Sequence, residues 1–151
     1  MTAEMDTTAP PVEILLVEDN LGDARLTREA LKEGKVYNNL HWVKDGVEAL
    51  EFLHKTGRHK GSPRPDIILL DLNLPKKDGR EVLQEIKADR DLQRIPVVIL
   101  TTSKAEEDVL KTYALHANCY VTKPVDLEQF IRVVQSIDNF WLTVVTLPNG
   151  K

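Results

Sequence analysis

Ile14-Leu15-Leu16-Val17-Glu18-Asp19 sets four apolar residues against two consecutive acids, and Ile67-Ile68-Leu69-Leu70-Asp71 repeats the arrangement with one acid. Short continuous apolar runs of this kind mark strands buried on both faces of a parallel sheet. Two such strands would bring Glu18, Asp19 and Asp71 together at the carboxyl edge of the sheet, where open α/β folds place their ligands. Carboxylates crowded in a partly dry crevice repel one another, and a hard divalent cation removes the conflict. Magnesium takes oxygen ligands, uses one or two protein carboxylates and commonly bridges to phosphate oxygens. The cluster therefore reads as a Mg2+ and phosphate site.

Five apolar runs, Val12–Val17, Leu40–Val43, Asp66–Leu70, Pro96–Leu100 and Cys119–Val121, alternate with helix-like stretches. That alternation predicts right-handed βαβ units and an α/β fold, a doubly wound five-stranded parallel sheet with helices on both faces. The run at Leu40–Val43 is the least continuous and belongs at an edge. Helix starts are signalled at capping-box spacing by Asp45 with Glu48, Asp78 with Glu81, Ser103 with Glu106 and Asp126 with Gln129. The first helix runs roughly from Gly22 to Lys32 with Leu26, Ala30 and Leu31 facing inward, and Val47 and Leu50 mark the apolar face of the second. The segment from His54 to Pro65 is rich in Gly, Pro, Lys and Arg and reads as a solvent loop.

A chain of 151 residues, 42% hydrophobic and 29% charged, fits one soluble domain with a full core. A net charge of −4 without a basic face argues against nucleic acid as a partner. No apolar run approaches the ~18 residues of a membrane span, and residues 1–11 carry no signal pattern. The expectation is a cytoplasmic protein with a flexible amino terminus over 1–11. Cys119 is the single cysteine, so no internal disulfide is possible, and it reads as a small core residue. The histidines at 41, 54, 59 and 116 lack ligand spacing, which argues against zinc, and no glycine-rich phosphate loop supports nucleotide binding.

The polar residues that follow the strands form a series: Glu18 and Asp19 after the first, Asp71 after the third, Thr101 after the fourth and Lys123 after the fifth. An aspartate that accepts a phosphoryl group needs a metal on the phosphate oxygens, a cation on another oxygen and a hydrogen-bond donor for a third. Glu18 with Asp19, then Lys123, then Thr101 would supply these in turn.

These residues resemble the receiver domains of two-component response regulators, over almost the whole chain. The resemblance implies the flavodoxin-like strand order 2-1-3-4-5 and a receiver domain over 12–139. It makes Asp71 the phosphoacceptor, Glu18 and Asp19 the metal-binding acids, and Lys123 and Thr101 the groups that meet the phosphoryl oxygens. It assigns the backbone carbonyl of Asn73 to the metal, Tyr120 together with Thr101 to the switch, Asn73 and Ser103 to the lifetime of the signal, and a cis peptide to Lys123-Pro124. The protein would then be no turnover enzyme but a phosphoacceptor that assists its own phosphorylation and dephosphorylation.

The stretches Val17-Glu18-Asp19-Asn20, Gly22-Asp23-Ala24-Arg25-Leu26-Thr27, Leu100-Thr101-Thr102-Ser103 and Phe140-Trp141-Leu142-Thr143 are similar to regulators paired with cyanobacterial and bacterial phytochrome kinases, which end without an output domain. That likeness implies a light-sensing histidine kinase as phosphodonor. The apolar tail over 140–151 either folds back on its own domain or packs against a second copy, and the resemblance favours a homodimer through the C-terminal helix and tail. The rival from another class is a Mg2+-dependent aspartyl-phosphate phosphatase. Such enzymes need a second acid two residues beyond the nucleophile, where this chain has Asn73. A receiver-like module that binds partners without phosphorylation is the third reading.

Overall fold

The structure, a computed structural model, describes residues 11–34, 36–101 and 119–135. Its strands are β1 (Val12–Val17), β2 (Asn38–Val43), β3 (Ile67–Asp71), β4 (Val97–Thr101) and β5 (Cys119–Thr122). Its helices are α1 (Leu21–Glu33), α2 (Gly46–His54), α3 (Gly79–Ala88) and α4 (Leu127–Gln135). All strand pairs are parallel, in the order β2-β1-β3-β4-β5, with β2 at an edge.

Strand side chains alternate between two cores, as a pleat of period two requires. Leu15, Val17, Ile68, Leu70, Val97 and Ile99 pack with Phe52 of α2 and Val82, Leu83 and Ile86 of α3. Ile14, Leu16, Ile67, Leu69, Val98 and Leu100 face the other way, against Ala24 and Leu31 of α1 and Phe130 of α4. Each fully buried Leu, Ile or Phe side chain contributes about 1.5–3 kcal/mol, so the central strands decide the fold and leave their ends free for polar residues.

Helix starts follow the side chains that cap them. Asp45 accepts from the Glu48 backbone N–H at 2.8 Å, Asp78 and Glu81 make both bonds of a capping box, and Asp126 accepts from the Gln129 N–H at 2.8 Å. Asn20 caps α1 by accepting from the Asp23 N–H at 2.9 Å. The Ser103 start, the terminal segments 1–10 and 136–151, and with them the tail, lie outside the described residues.

Two expectations are corrected. Leu26 is 52% exposed and Val47 42% exposed. The inward stripe of α1 is Ala24, Thr27 and Leu31, at helical spacing i, i+3 and i+7, and Leu26 stands about 100° round the helix from Thr27. In the second helix Ala49, Phe52 and Leu53 take the core face. The loop after α2 is also tied down: the His59 ring lies 5.3 Å from that of Phe52 and its Nε2 2.9 Å from Glu48, and the Ser62 hydroxyl donates to the Phe52 carbonyl at 2.6 Å.

Candidate functional site

β1 and β3 are neighbours in register, Val17 opposite Leu70, so the residues that follow them share one end of the sheet. Glu18, Asp19 and Asp71 each place a carboxylate oxygen there, all within 4.8 Å of one another. Glu18 and Asp71 are buried, whereas Asp19 faces solvent. The chain beyond Asp71 returns tightly to α3: a Cβ on Gly79 would lie 2.5 Å from the Asp71 carbonyl oxygen and 2.5 Å from Leu72 Cα, so only glycine fits. The Gly79 N–H donates to the Leu72 carbonyl at 2.9 Å and closes this loop.

Lys123 enters from the end of β5. Its Nζ is 2.9 Å from Asp71 Oδ2, 3.1 Å from Glu18 Oε1 and 3.1 Å from Asp23 Oδ2, an ammonium shared among three carboxylates. Burial works against this charge, but the hydrogen bonds and charges of Asp71 and Glu18 together outweigh it and hold the Lys123 pKa above its ordinary value. Burial pushes the Glu18 carboxyl up from 4.5 to about 7, and the Asp71 charge adds to this while Lys123 pulls it down.

The other Asp71 oxygen, Oδ1, accepts from the Asn73 backbone N–H at 2.9 Å. Thr101 ends β4 beside it, completely buried, and its hydroxyl has no hydrogen-bond partner among the described residues. A buried hydroxyl left unpaired costs about 1–3 kcal/mol, which suits a group kept for a ligand atom. Tyr120 on β5 is half-buried against the core on the α2 and α3 side. The Lys123-Pro124 peptide is cis. Ser103 lies outside the described residues.

The donor set suits a hard divalent cation: three carboxylate oxygens, one of them solvent-facing, and no nitrogen or sulfur ligand among the described residues. Glu18, Asp19 and Asp71 would hold such an ion and share their negative charge between it and Lys123.

Two side chains make contacts at the candidate site that the sequence does not announce. Asp23 looks in sequence like an ordinary acid of a helix first turn, yet it is one of the three carboxylates on Lys123. Gln129 carries the spacing of a capping box, but its side chain holds β5 instead. It accepts from the Thr122 N–H at 2.9 Å and donates to the Thr122 carbonyl at 3.2 Å, fixing the residue before Lys123. Asp23 stands in the first turn of α1, directly after the loop that carries Glu18 and Asp19, and that nearness was the available signal.

The model of the response regulator receiver domain family matches residues 14–135. The response regulator Rcp1 of Synechocystis sp. (strain ATCC 27184 / PCC 6803 / Kazusa) is 54% identical over 143 residues, covering 95% of this chain and 97% of that protein. The crystal structure of the Mn(2+)-bound form of Rcp1 is 55% identical, with TM-score 0.70 over 91% of this chain and 99% of the other. That of the phosphorylated cyanobacterial phytochrome response regulator RcpA is 52% identical, with TM-score 0.71 over 91% and 99%. Among the described residues no helix is long and apolar enough to cross a membrane. With its five parallel strands and its acids gathered at one sheet end, the chain belongs to the response regulator receiver domain family, the phosphoryl-accepting switches of signalling.

Proposed function

We propose that Asp71 is the phosphoacceptor. Its carboxylate attacks the phosphorus of a phosphohistidine, the P–N bond breaks with its electron pair leaving on the imidazole nitrogen, and an aspartyl phosphate forms. The observation that carries this is the convergence on Asp71 of the Lys123 ammonium, 2.9 Å away, beside the buried Thr101 hydroxyl at the end of the next strand, which has no partner among the described residues. Glu18, Asp19, Asp71 and the Asn73 backbone carbonyl hold Mg2+, which when bound neutralises charge on the phosphoryl oxygens.

After transfer Lys123 pairs with one product oxygen, and Thr101 donates its hydroxyl to another. The phosphoryl group adds about −1.5 to −2 charge, and drawing Thr101 inward frees space for Tyr120 to follow. Water then attacks the phosphorus, the P–O bond to the acyl oxygen breaks, and phosphate leaves with the Asp71 carboxylate restored. By resemblance Asn73 and Ser103 flank that water's path. The protein in this way assists its own phosphorylation and dephosphorylation.

The likeness to RcpA, a phytochrome response regulator, supports a histidine kinase of the phytochrome type as donor, in the cytoplasm. Residues 12–139 form the receiver unit, and α4 with the apolar tail over 140–151 joins two copies.

The test is to incubate the protein with Mg2+ and acetyl phosphate and weigh it intact. One alkali-labile phosphate per chain, absent in Asp71→Asn, is the expected result. Continuous release of phosphate from many esters would support a phosphatase instead, and an unmodified protein would support a passive binding module.

A further inference from the structure

The pairing of β1 with β2 ends at Val17 opposite Val43, one residue short of the acidic pair. Glu18 still donates its N–H to the Val43 carbonyl at 3.1 Å. Beyond Val43 the second strand leaves the sheet. The Lys44 N–H goes to the Glu48 carboxylate at 3.2 Å, and Asp45 turns away as the cap of α2. The donor that meets the Glu18 carbonyl is a side chain, the indole N–H of Trp42, at 2.7 Å.

Glu18 is consequently held at every polar atom. Its backbone N–H is bound to Val43 and its carbonyl to Trp42; its carboxylate takes the Asn20 N–H at 3.2 Å and Lys123 Nζ at 3.1 Å. Asp19 is different: it is exposed, and no described residue donates a hydrogen bond to its carboxylate. What aims Asp19 is the peptide plane that joins it to Glu18, and that plane carries the carbonyl on which the indole sits. Planar peptide geometry turns the whole unit together, so fixing the oxygen fixes the direction in which the next residue leaves.

Trp42 is placed to do this. It lies on the face of the sheet that carries α1, packed with Leu40 against the same core, and it borders a cavity of about 120 Å³ with Leu21, Ala24, Arg25 and Arg28. The Lys44 ammonium stands 5.2 Å from its ring centre. A residue on the outermost strand thereby reaches across the end of β1.

We infer that Trp42 is a positioning residue of the metal site, holding the Glu18–Asp19 peptide in the orientation that lets Asp19 meet the ion; this rests on Glu18 and Asp19 being metal ligands. Groups that orient ligands from behind typically alter metal affinity about 10–100-fold when removed. Trp42→Phe keeps an aromatic ring in place and deletes the donor. Leu40→Ala is the comparison, since Leu40 packs against the same core but sits opposite Ile14, four residues before Glu18.

The experiment is calorimetric titration of the metal-free protein with MgCl2, alongside urea unfolding of each variant. The wild type binds; Trp42→Phe binds about ten-fold more weakly, while Leu40→Ala loses stability and keeps the wild-type affinity. Equal affinity in wild type and Trp42→Phe overturns the role of Trp42. So does an equal loss of affinity in both variants, which would mean general loosening of the strand. A wild type that binds no Mg2+ overturns instead the metal site on which the inference rests. Should Trp42→Phe fail to fold, the indole N–H resonance of Trp42, identified with Trp141→Phe, decides: it shifts in step with Mg2+ saturation if the inference holds, and a resonance that stays fixed while Mg2+ binds overturns it.

Discussion

Lys123 Nζ stands 2.9 Å from Asp71 Oδ2, although the two residues are 52 positions apart, and the same ammonium also reaches Glu18 and Asp23. A single cation is thus the counter-charge of three carboxylates, two of them buried. Removing it leaves those acids facing one another in a partly dry crevice.

Lys123→Ala therefore destabilises the metal-free protein by about 3 kcal/mol, the cost of leaving buried charges unpaired. A divalent ion replaces part of the missing charge, so Mg2+ raises the melting temperature of the variant more than that of the wild type. Thermal unfolding with EDTA and with Mg2+ checks this. Equal Mg2+ effects in the two proteins would contradict it.

Thr101 gives the opposite sign. Its hydroxyl is buried and has no partner among the described residues, so Thr101→Val, of nearly the same shape, leaves the unphosphorylated protein equally stable or steadier by about 1 kcal/mol in urea. The same variant loses the conformational response to phosphorylation, seen as absent changes in amide resonances after acetyl phosphate is added. A loss of stability above about 1 kcal/mol would show that the hydroxyl is already bonded.

Protons compete with the metal at Glu18. Its pKa rises from 4.5 in the unfolded chain to about 7 in the metal-free fold, so it contributes stability that is full below 4.5 and lost as pH rises through about 7. The ion needs the ionised carboxylate, so the stabilisation conferred by Mg2+ grows over the same interval. Urea unfolding across it, with and without Mg2+, measures the difference. A Mg2+ effect independent of pH would contradict it.

Gly79→Ala tests the acceptor loop. The added methyl meets backbone at 2.5 Å on two sides, and strain of this kind costs about 1–3 kcal/mol. At Gly61 a Cβ meets nothing within 4 Å, so Gly61→Ala changes stability by less than about 1 kcal/mol. Urea midpoints of the two variants should differ accordingly, and equal midpoints would contradict the tight return of the chain.

The site was legible in the sequence where chain order and strand periodicity determine position. Glu18, Asp19, Asp71, Thr101 and Lys123 all close apolar runs, and any parallel sheet built from those runs brings their ends together. Asp23 and Gln129 were hidden because helix first turns are expected to carry acids and amides for local capping, and only the packing of α1 and α4 turns these two toward β5. Leu26 shows why size alone does not settle burial: of the leucines of α1 only Leu31 is buried, and the small Ala24 and Thr27 complete the core face. Trp42 reads in sequence as bulk on an edge strand, and its indole N–H acquires a role only because the pairing of β1 and β2 stops where it does.

Trapping the modified side chain shows whether Asp71 takes the phosphoryl group. Borohydride reduces an acyl phosphate of aspartate to homoserine, which fragmentation of the digested protein locates within the chain. After treatment with acetyl phosphate and Mg2+, homoserine is expected at position 71 and nowhere else. Homoserine at position 19 or 23, or at no position in a protein that has gained phosphate, would contradict it.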